Sequence, residues 1–340
     1  MLSTDEVGAA GENMATLPTR EDVLDAAARI KGHVAKTPVL KSSRLDELVG
    51  ANIIIKAECL QETGSFKLRG AFNRLLQLTP ATRANGIVAF SSGNHAQGIA
   101  RAAKALGIQA TIVMPQQAPR NKIERVIADG AELRLYDPVS EDREIIARRL
   151  ADERNAVLVP SYDDPYIIAG QGTCGVEFAE QLDTAGDRLE HLICCTGGGG
   201  LMSGLILAMQ RPGLAFWTAE PAGHDDWAQS LQQNGRVENA PGTRSICDAI
   251  LTPSPGVLPW QIASGHLAGG LVVEDDHIRS AMRVAFDMLK LVVEPGGAAA
   301  LAAALFALPE AAKGTTIGVV VSGGNVDANL FAETLRANHS

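Results

Sequence analysis

Thr63-Gly64-Ser65-Phe66-Lys67-Leu68-Arg69-Gly70 sets a lysine between an aromatic and an aliphatic residue, directly after a glycine turn. Burial in such a setting disfavours the ammonium form, lowers the pKa and leaves a neutral amine able to act as a nucleophile or to form a Schiff base. An amine of that kind suits an aldehyde cofactor. Taken alone, the stretch reads as a surface lysine at a helix start, so the decision falls to the loops downstream of it. Three of these share its small, polar, backbone-exposing character at the end of an apolar run: Ser91 to Gln97 (SSGNHAQ), Thr196 to Gly204 (TGGGGLMSG) and Ser322 to Asp327 (SGGNVD).

The rest of the chain is an alternating α/β sequence. Thr19 and Asp22 form a capping-box start to a helix through Val23, Leu24 and Ile30. A short strand is expected at Ile53–Lys56, and the lysine loop then opens a helix through Phe72, Leu75 and Leu76 that stops at Thr79-Pro80. Strands at 87–90, 110–114 and 132–136 alternate with helices at 94–105, 121–128 and 142–153, the pattern of parallel βαβ units. A second series has strands near 156–159, 192–195, 215–219 and 316–321. The expectation is two open, twisted, mainly parallel sheets with a ligand cleft between them at the strand C-termini. Residues 19–84 and 156–335 form a large domain, 85–155 a small inserted one, and 1–18 a disordered tail. Gly242 to Gly256 reads as a long functional loop.

Composition narrows the function. With 340 residues and 46% apolar content the chain can bury a large core, and a formal charge of −9 without a basic tract argues against nucleic acid. Five cysteines without CxxC spacing signal neither a disulfide framework nor zinc, and point to a reducing cytoplasm. The N-terminus lacks the pattern of a secretory signal. The Ala-rich run from Ala298 to Leu308 is too short for a membrane span and reads as a buried helix. Gly197, Gly198, Gly199 and Gly200, with Leu201 next, lie between a strand and a helix; their N–H groups form a phosphate cradle that no side chain blocks. A dinucleotide fold with Glu220 as its ribose acid competes for this segment. Its GxGxxG spacing fails at Met202 and Ser203.

Together the four loops, SFKLRGA included, resemble the fold-type II pyridoxal-phosphate enzymes, specifically the serine/threonine ammonia-lyases and serine racemases, from about Arg20 to about Leu330. The resemblance implies that Lys67 links covalently to the cofactor and then takes the substrate α-proton. It also places Phe66, Asn94, the glycine loop with Leu201, Glu294 and Ser322 around the cofactor. Asn94 matches the partner of its ring hydroxyl, and Ser322 faces its pyridine nitrogen. A serine cannot protonate that nitrogen as a carboxylate would, which favours loss of a β-substituent. Ser91, Ser92, Gly93, Asn94 and His95 are implied substrate contacts, with Ser92 a second acid/base on the opposite face in the racemases. Glu220, Asp226 and the carbonyl of His224 match a site for Mg2+, Ca2+ or Mn2+. Arg143 reads as a helix-surface arginine, with approach to an acidic substrate such as 3-hydroxyaspartate as the alternative. Ala249 replaces a common glycine and adds a methyl near the substrate entrance.

The expected activity is a cytoplasmic β-elimination on a β-hydroxy L-amino acid, threonine first and serine next, giving a 2-oxo acid and ammonia. The alternatives are a serine or 3-hydroxyaspartate racemase/dehydratase and, more distantly, a dinucleotide-binding module. A homodimer acting on a small amino acid, without nucleic-acid or membrane partners, completes the expectation.

Overall fold

The computed structural model describes residues 16–118 and 120–336, so the expected tail at 1–18 falls almost wholly outside the described residues. Thr19 caps the helix Arg20–Arg29 and Asp22 closes the capping box, as the spacing predicts. Among the described residues ten strands build two sheets. The larger runs β1 (Val39–Lys41), β2 (Asn52–Ala57), β10 (Thr316–Val321), β7 (His191–Cys195), β8 (Ala215–Pro221), β9 (Leu267–Val273), with β1 antiparallel and the rest parallel. The smaller runs β5 (Glu132–Tyr136), β4 (Ala110–Pro115), β3 (Ile87–Phe90), β6 (Val157–Leu158), all parallel.

Two assignments differ from the sequence reading. The strand expected near 156–159 in the second series instead pairs with β3, Ile87 opposite Val157, and closes the smaller sheet. Alternation marks a strand but not the sheet it joins. The sequence pattern does not predict β9 at all, because Gly269 and Gly270 interrupt the apolar run and its residues alternate irregularly between buried and open. Gly270 is required there: a Cβ would lie 2.6 Å from that of Ala228.

Buried faces follow from the residue pattern. β2 and β10 are near-continuous Ile and Val runs, as strands covered on both faces must be. The Ala-rich segment forms the helix Pro295–Phe306, whose first ten residues are buried; its small side chains let it lie close on the larger sheet. Among the described residues no helix is long and apolar enough to cross a membrane.

The helix Lys67–Leu76 packs Leu68, Phe72 and Leu75 into the core beneath the smaller sheet, with Ile99 and Ala103 of the helix Asn94–Leu106. The lysine loop and the SSGNH loop therefore open neighbouring helices. A third helix, Pro165–Ala185, crosses the lysine helix and the helix Gly200–Met209 through glycine contacts. A Cβ at Gly170 would lie 2.6 Å from the Cα of Gly70, and one at Gly204 would lie 2.5 Å from the nitrogen of Gly172. Both clashes are with backbone, which cannot rotate aside.

Arg69 fastens this arrangement. Its guanidinium donates to both carboxylate oxygens of Glu58, each at 2.8 Å, and to Glu177 at 3.1 and 3.2 Å. Burial pushes Glu58 up, but the Arg69 and Lys56 charges outweigh it and hold the carboxyl below its ordinary range. For the crossing itself, Gly204→Ala should destabilise the fold by ~1–3 kcal/mol, the range of overpacked cores. Thermal unfolding reads this directly, and an unchanged midpoint would show that the helices do not need to approach so closely.

Candidate active site

The two sheets face each other across a cleft of about 410 Å³. Phe66, Lys67, the run from Ser91 to His95, the run from Gly197 to Leu201, Glu294 and Ser322 all line it. Residues separated by more than two hundred positions thus share one cavity.

Lys67 is the first residue of its helix, and its Nζ donates to the carbonyl of Ser161 at 2.8 Å. The amine also lies 5.2 Å from the centre of the Phe66 ring. Burial pulls its pKa down to about 8. Lys67 is half-buried against the cleft, in keeping with the partly desolvated amine its neighbours in sequence suggest.

The glycine loop is shaped by what surrounds it. Gly199 has φ +94°, and its Cβ would lie 2.2 Å from the Trp227 indole; at Gly198 a Cβ would lie 2.3 Å from the Tyr162 ring. Only glycine fits either position. Trp227 Nε1 donates to the carbonyl of Gly197 at 2.7 Å, and the nitrogen of Gly256 to that of Gly198 at 3.0 Å. In a trans peptide the N–H points opposite to the C=O, so anchoring these carbonyls turns the N–H groups of Gly198 and Gly199 to the other side. The free N–H groups at the start of the helix Gly200–Met209 add to them. This cradle fits a phosphate, and with the buried amine it fits pyridoxal phosphate.

Between the amine and Ser322 the polar groups are interlocked. Asn94 Nδ2 donates to Glu294, and Asn94 Oδ1 accepts from Asn325 at 2.7 Å. Burial raises Glu294 to about 7, against the lowering effect of Asn94. The Cys195 thiol donates to Ser322 Oγ at 3.0 Å. Glycine is again obligatory beside them, since a Cβ on Gly297 would lie 2.2 Å from the carbonyl oxygen of Gly323.

On the substrate side, Gly93 N–H donates to Ser91 Oγ at 3.2 Å, folding the SSGN turn. Ser92 lines the cleft. The His95 ring contacts the carbonyl of Val159 through Nε2 at 3.0 Å, and burial with the Lys67 charge holds it neutral, near 3. The other ring nitrogen, Nδ1, is buried without a partner. Arg143 is exposed at the first turn of its helix, as expected of a helix-surface arginine, and from there it also lines the cleft, with its guanidinium 5.8 Å from the Phe90 ring centre. Arg148 lies in the same wall, as do Asp248 and Ala249 of the long loop.

Glu220 and Asp226 lie outside this cleft. Glu220 accepts from the backbone nitrogens of Trp227 at 2.8 Å and Ala228 at 2.9 Å. The His224 ring is occupied by Thr243, with Nε2 3.1 Å from its hydroxyl. Its other ring nitrogen, Nδ1, is without a partner. No group of three or more His, Cys, Asp or Glu side chains among the described residues is arranged around a metal, so a cation here would rest on two carboxylates with backbone and water. These two fit such a role: burial raises Glu220 well above the usual carboxylate range and Asp226 to about 7. Asp226 Oδ2 is moreover buried without a partner.

Several cleft residues escape a reading of the sequence alone. Asn325 sits inside the quoted SGGNVD loop, but nothing local shows that it meets Asn94. Lys122 pairs with Asp248 at 2.6 Å across the cleft, a contact between a helix surface and a loop that no spacing reveals. Tyr162 and Cys195 read as ordinary packing residues.

The family model for pyridoxal-phosphate dependent enzymes matches residues 30–323. The chain is 41% identical to an L-threo-3-hydroxyaspartate ammonia-lyase from Pseudomonas sp., over 94% of this chain and 99% of that protein. It is 38% identical to a serine racemase from Schizosaccharomyces pombe, over 94% and 98% respectively. Among solved structures it is similar to maize serine racemase, with a TM-score of 0.88 and 37% identity over 94% of this chain and 97% of that one. The chain belongs to the pyridoxal-phosphate dependent enzymes of fold type II. Within them it falls among the ammonia-lyases and racemases.

The lowered Lys67 pKa has a kinetic consequence. The neutral amine is the form that attacks an aldehyde, so the rate of cofactor capture by apoprotein should rise as pH increases through about 8. Stopped-flow absorbance after adding pyridoxal phosphate measures this. A midpoint at the ordinary lysine value, about 10.4, would mean the amine is not desolvated.

Proposed function

We propose that the protein is a pyridoxal-phosphate dependent ammonia-lyase whose preferred substrate is 3-hydroxyaspartate, converted to oxaloacetate and ammonia. The observation that carries this reading is Arg143 in the cleft wall. Threonine, the substrate favoured on sequence, would set a methyl group near the Arg143 guanidinium, whereas a β-carboxylate would pair with it; Arg148 is already paired with Glu144 at 2.6 Å. The ammonia-lyase from Pseudomonas sp. is named for this substrate.

Each chain residue has a definable task. Gly198–Gly200 bind the cofactor phosphate through backbone N–H groups. The N–H groups of Ser92 and Asn94, at a helix N-terminus, take the α-carboxylate. The Lys67 amine, freed when substrate arrives, removes the α-proton. Ser322 accepts from Cys195, which leaves its own hydroxyl proton for the pyridine nitrogen. Pyridoxal phosphate supplies the electron sink conjugated to Cα. The β-hydroxyl leaves as water, and the released enamine takes up water to give the oxo acid and ammonia. Racemisation is the second reading, because Ser92 shares the cleft with Lys67 and is a candidate acid/base for the other face. Glu220 and Asp226 are assigned a hard divalent cation that braces the glycine-loop side of the fold through Trp227, which contacts both Glu220 and Gly197.

Oxo-acid release by the cofactor-loaded enzyme from 3-hydroxyaspartate isomers, L-threonine and L-serine tests the assignment. Arg143→Met should cut kcat/KM for 3-hydroxyaspartate by roughly 10–100-fold, the worth of a hydrogen bond to a charged group, and leave L-serine turnover nearly unchanged. Faster wild-type turnover of L-threonine would sink the substrate assignment. For the cation, Mg2+ or Mn2+ should raise the thermal midpoint of the wild type but not of Asp226→Asn; equal shifts in both would remove the site.

A further inference from the structure

Asn325 joins three separate segments at the cleft. Arg125 Nη1 donates to its Oδ1 at 2.6 Å, while its Nδ2 donates to the carbonyl of Thr63 at 2.8 Å and to Asn94 Oδ1 at 2.7 Å. An asparagine amide can ordinarily exchange its two ends. Here it cannot. A guanidinium only donates and a backbone carbonyl only accepts, so Arg125 at one end and Thr63 at the other fix which way the Asn325 amide faces.

That polarity is passed on. With Nδ2 of Asn325 directed at it, Asn94 must present Oδ1, and its own Nδ2 turns toward Glu294 in the cleft wall. Both asparagines are buried, so no bulk water competes for these bonds. The lysine loop is built around the same residue: Gly64 has φ +74°, and a Cβ there would lie 2.5 Å from Asn325 Oδ1. The nitrogen of Gly324 also donates to the carbonyl of Gly64 at 2.8 Å.

We infer that Asn325 is a positioning residue that holds the Asn94 amide with its NH2 group toward the cofactor's ring oxygen. The inference rests on the reading that Asn94 faces that oxygen. An N–H donor stabilises the ionised oxygen; a carbonyl in its place stabilises the un-ionised hydroxyl. The orientation of one buried amide therefore sets the ionisation state of the cofactor ring, and Asn325 sets the amide.

Asn325→Asp tests this by reversing polarity at nearly constant shape, since the new carboxylate keeps Arg125 but offers Asn94 an acceptor. Asn94 should then turn its NH2 toward residue 325 and its carbonyl toward the ring. The expected result is a cofactor Kd raised about tenfold and an absorbance shift toward the shorter-wavelength band of the un-ionised hydroxyl. The pH midpoint of that spectral change should rise, while the apoprotein stays folded with a lowered thermal midpoint, because residue 325 no longer donates to the Thr63 carbonyl. Asn325→Ala, which frees the Asn94 amide without reversing it, should move both readouts in the same direction by less. Asn94→Ala is the control. If it alters spectrum and Kd but the folded Asn325 variants match the parent, the positioning role is overturned. If Asn94→Ala also matches the parent, the ring-oxygen reading fails and the inference falls with it. If neither Asn325 variant folds, Asn325 is a structural residue and the inference is likewise overturned.

Discussion

Glu58 and Arg69 are both buried, and each is tolerable there only while the other stays in place. Removing two charges from water costs about as much as their attraction returns, so the pair adds little net stability. Breaking it, however, would strand a charge. That asymmetry makes it a fixed point: Glu58 follows β2 directly, Arg69 lies two residues beyond Lys67, and Glu177 holds the same guanidinium from the crossing helix. The place where the reactive amine enters the cleft is thus tied to the larger sheet although its helix packs with the smaller. A neutral substitute of similar size could pack as well but would not specify one register so sharply.

Much of this is readable from the sequence because it depends on local chemistry. The half-buried amine at Lys67 follows from its neighbours, and the phosphate cradle from four consecutive glycines after an apolar strand. The helix Pro295–Phe306 follows from a run of alanines too short for a bilayer. What stays hidden depends on pairing across the chain. The side chains of Asn94 and Asn325 meet across 231 positions, and Lys122 and Asp248 across 126. The place of Arg143 is hidden for a related reason: its helix is strongly charged, and no periodicity shows which face a second sheet will leave open. The partner of β6 is equally illegible, because a two-residue strand carries too little pattern to choose one.

The cleft divides into an invariant end and an adjustable one, and packing draws the line. At the cofactor end, Gly198, Gly199 and Gly297 exclude any side chain, and Asn94, Glu294, Ser322 and Asn325 are buried in mutual hydrogen bonds. Changing any of these means moving backbone or stranding a polar group. At the substrate end, Arg148 and Asp248 retain solvent contact, with 63% and 52% of their side chains exposed. Substitution there alters charge and reach without disturbing the core. A fold arranged this way can keep its cofactor chemistry while exchanging one β-hydroxy amino acid for another. The similarity of this chain to both an ammonia-lyase and a racemase, at 41% and 38% identity, accords with that division. Which of the two reactions dominates then turns on whether a proton donor stands opposite Lys67 when the α-proton has gone. A serine hydroxyl at Ser92 is a weak acid, so it returns a proton slowly unless its neighbours activate it. Departure of the β-hydroxyl as water can draw on the proton that a single base has removed, so elimination asks less of the wall opposite Lys67 than racemisation does.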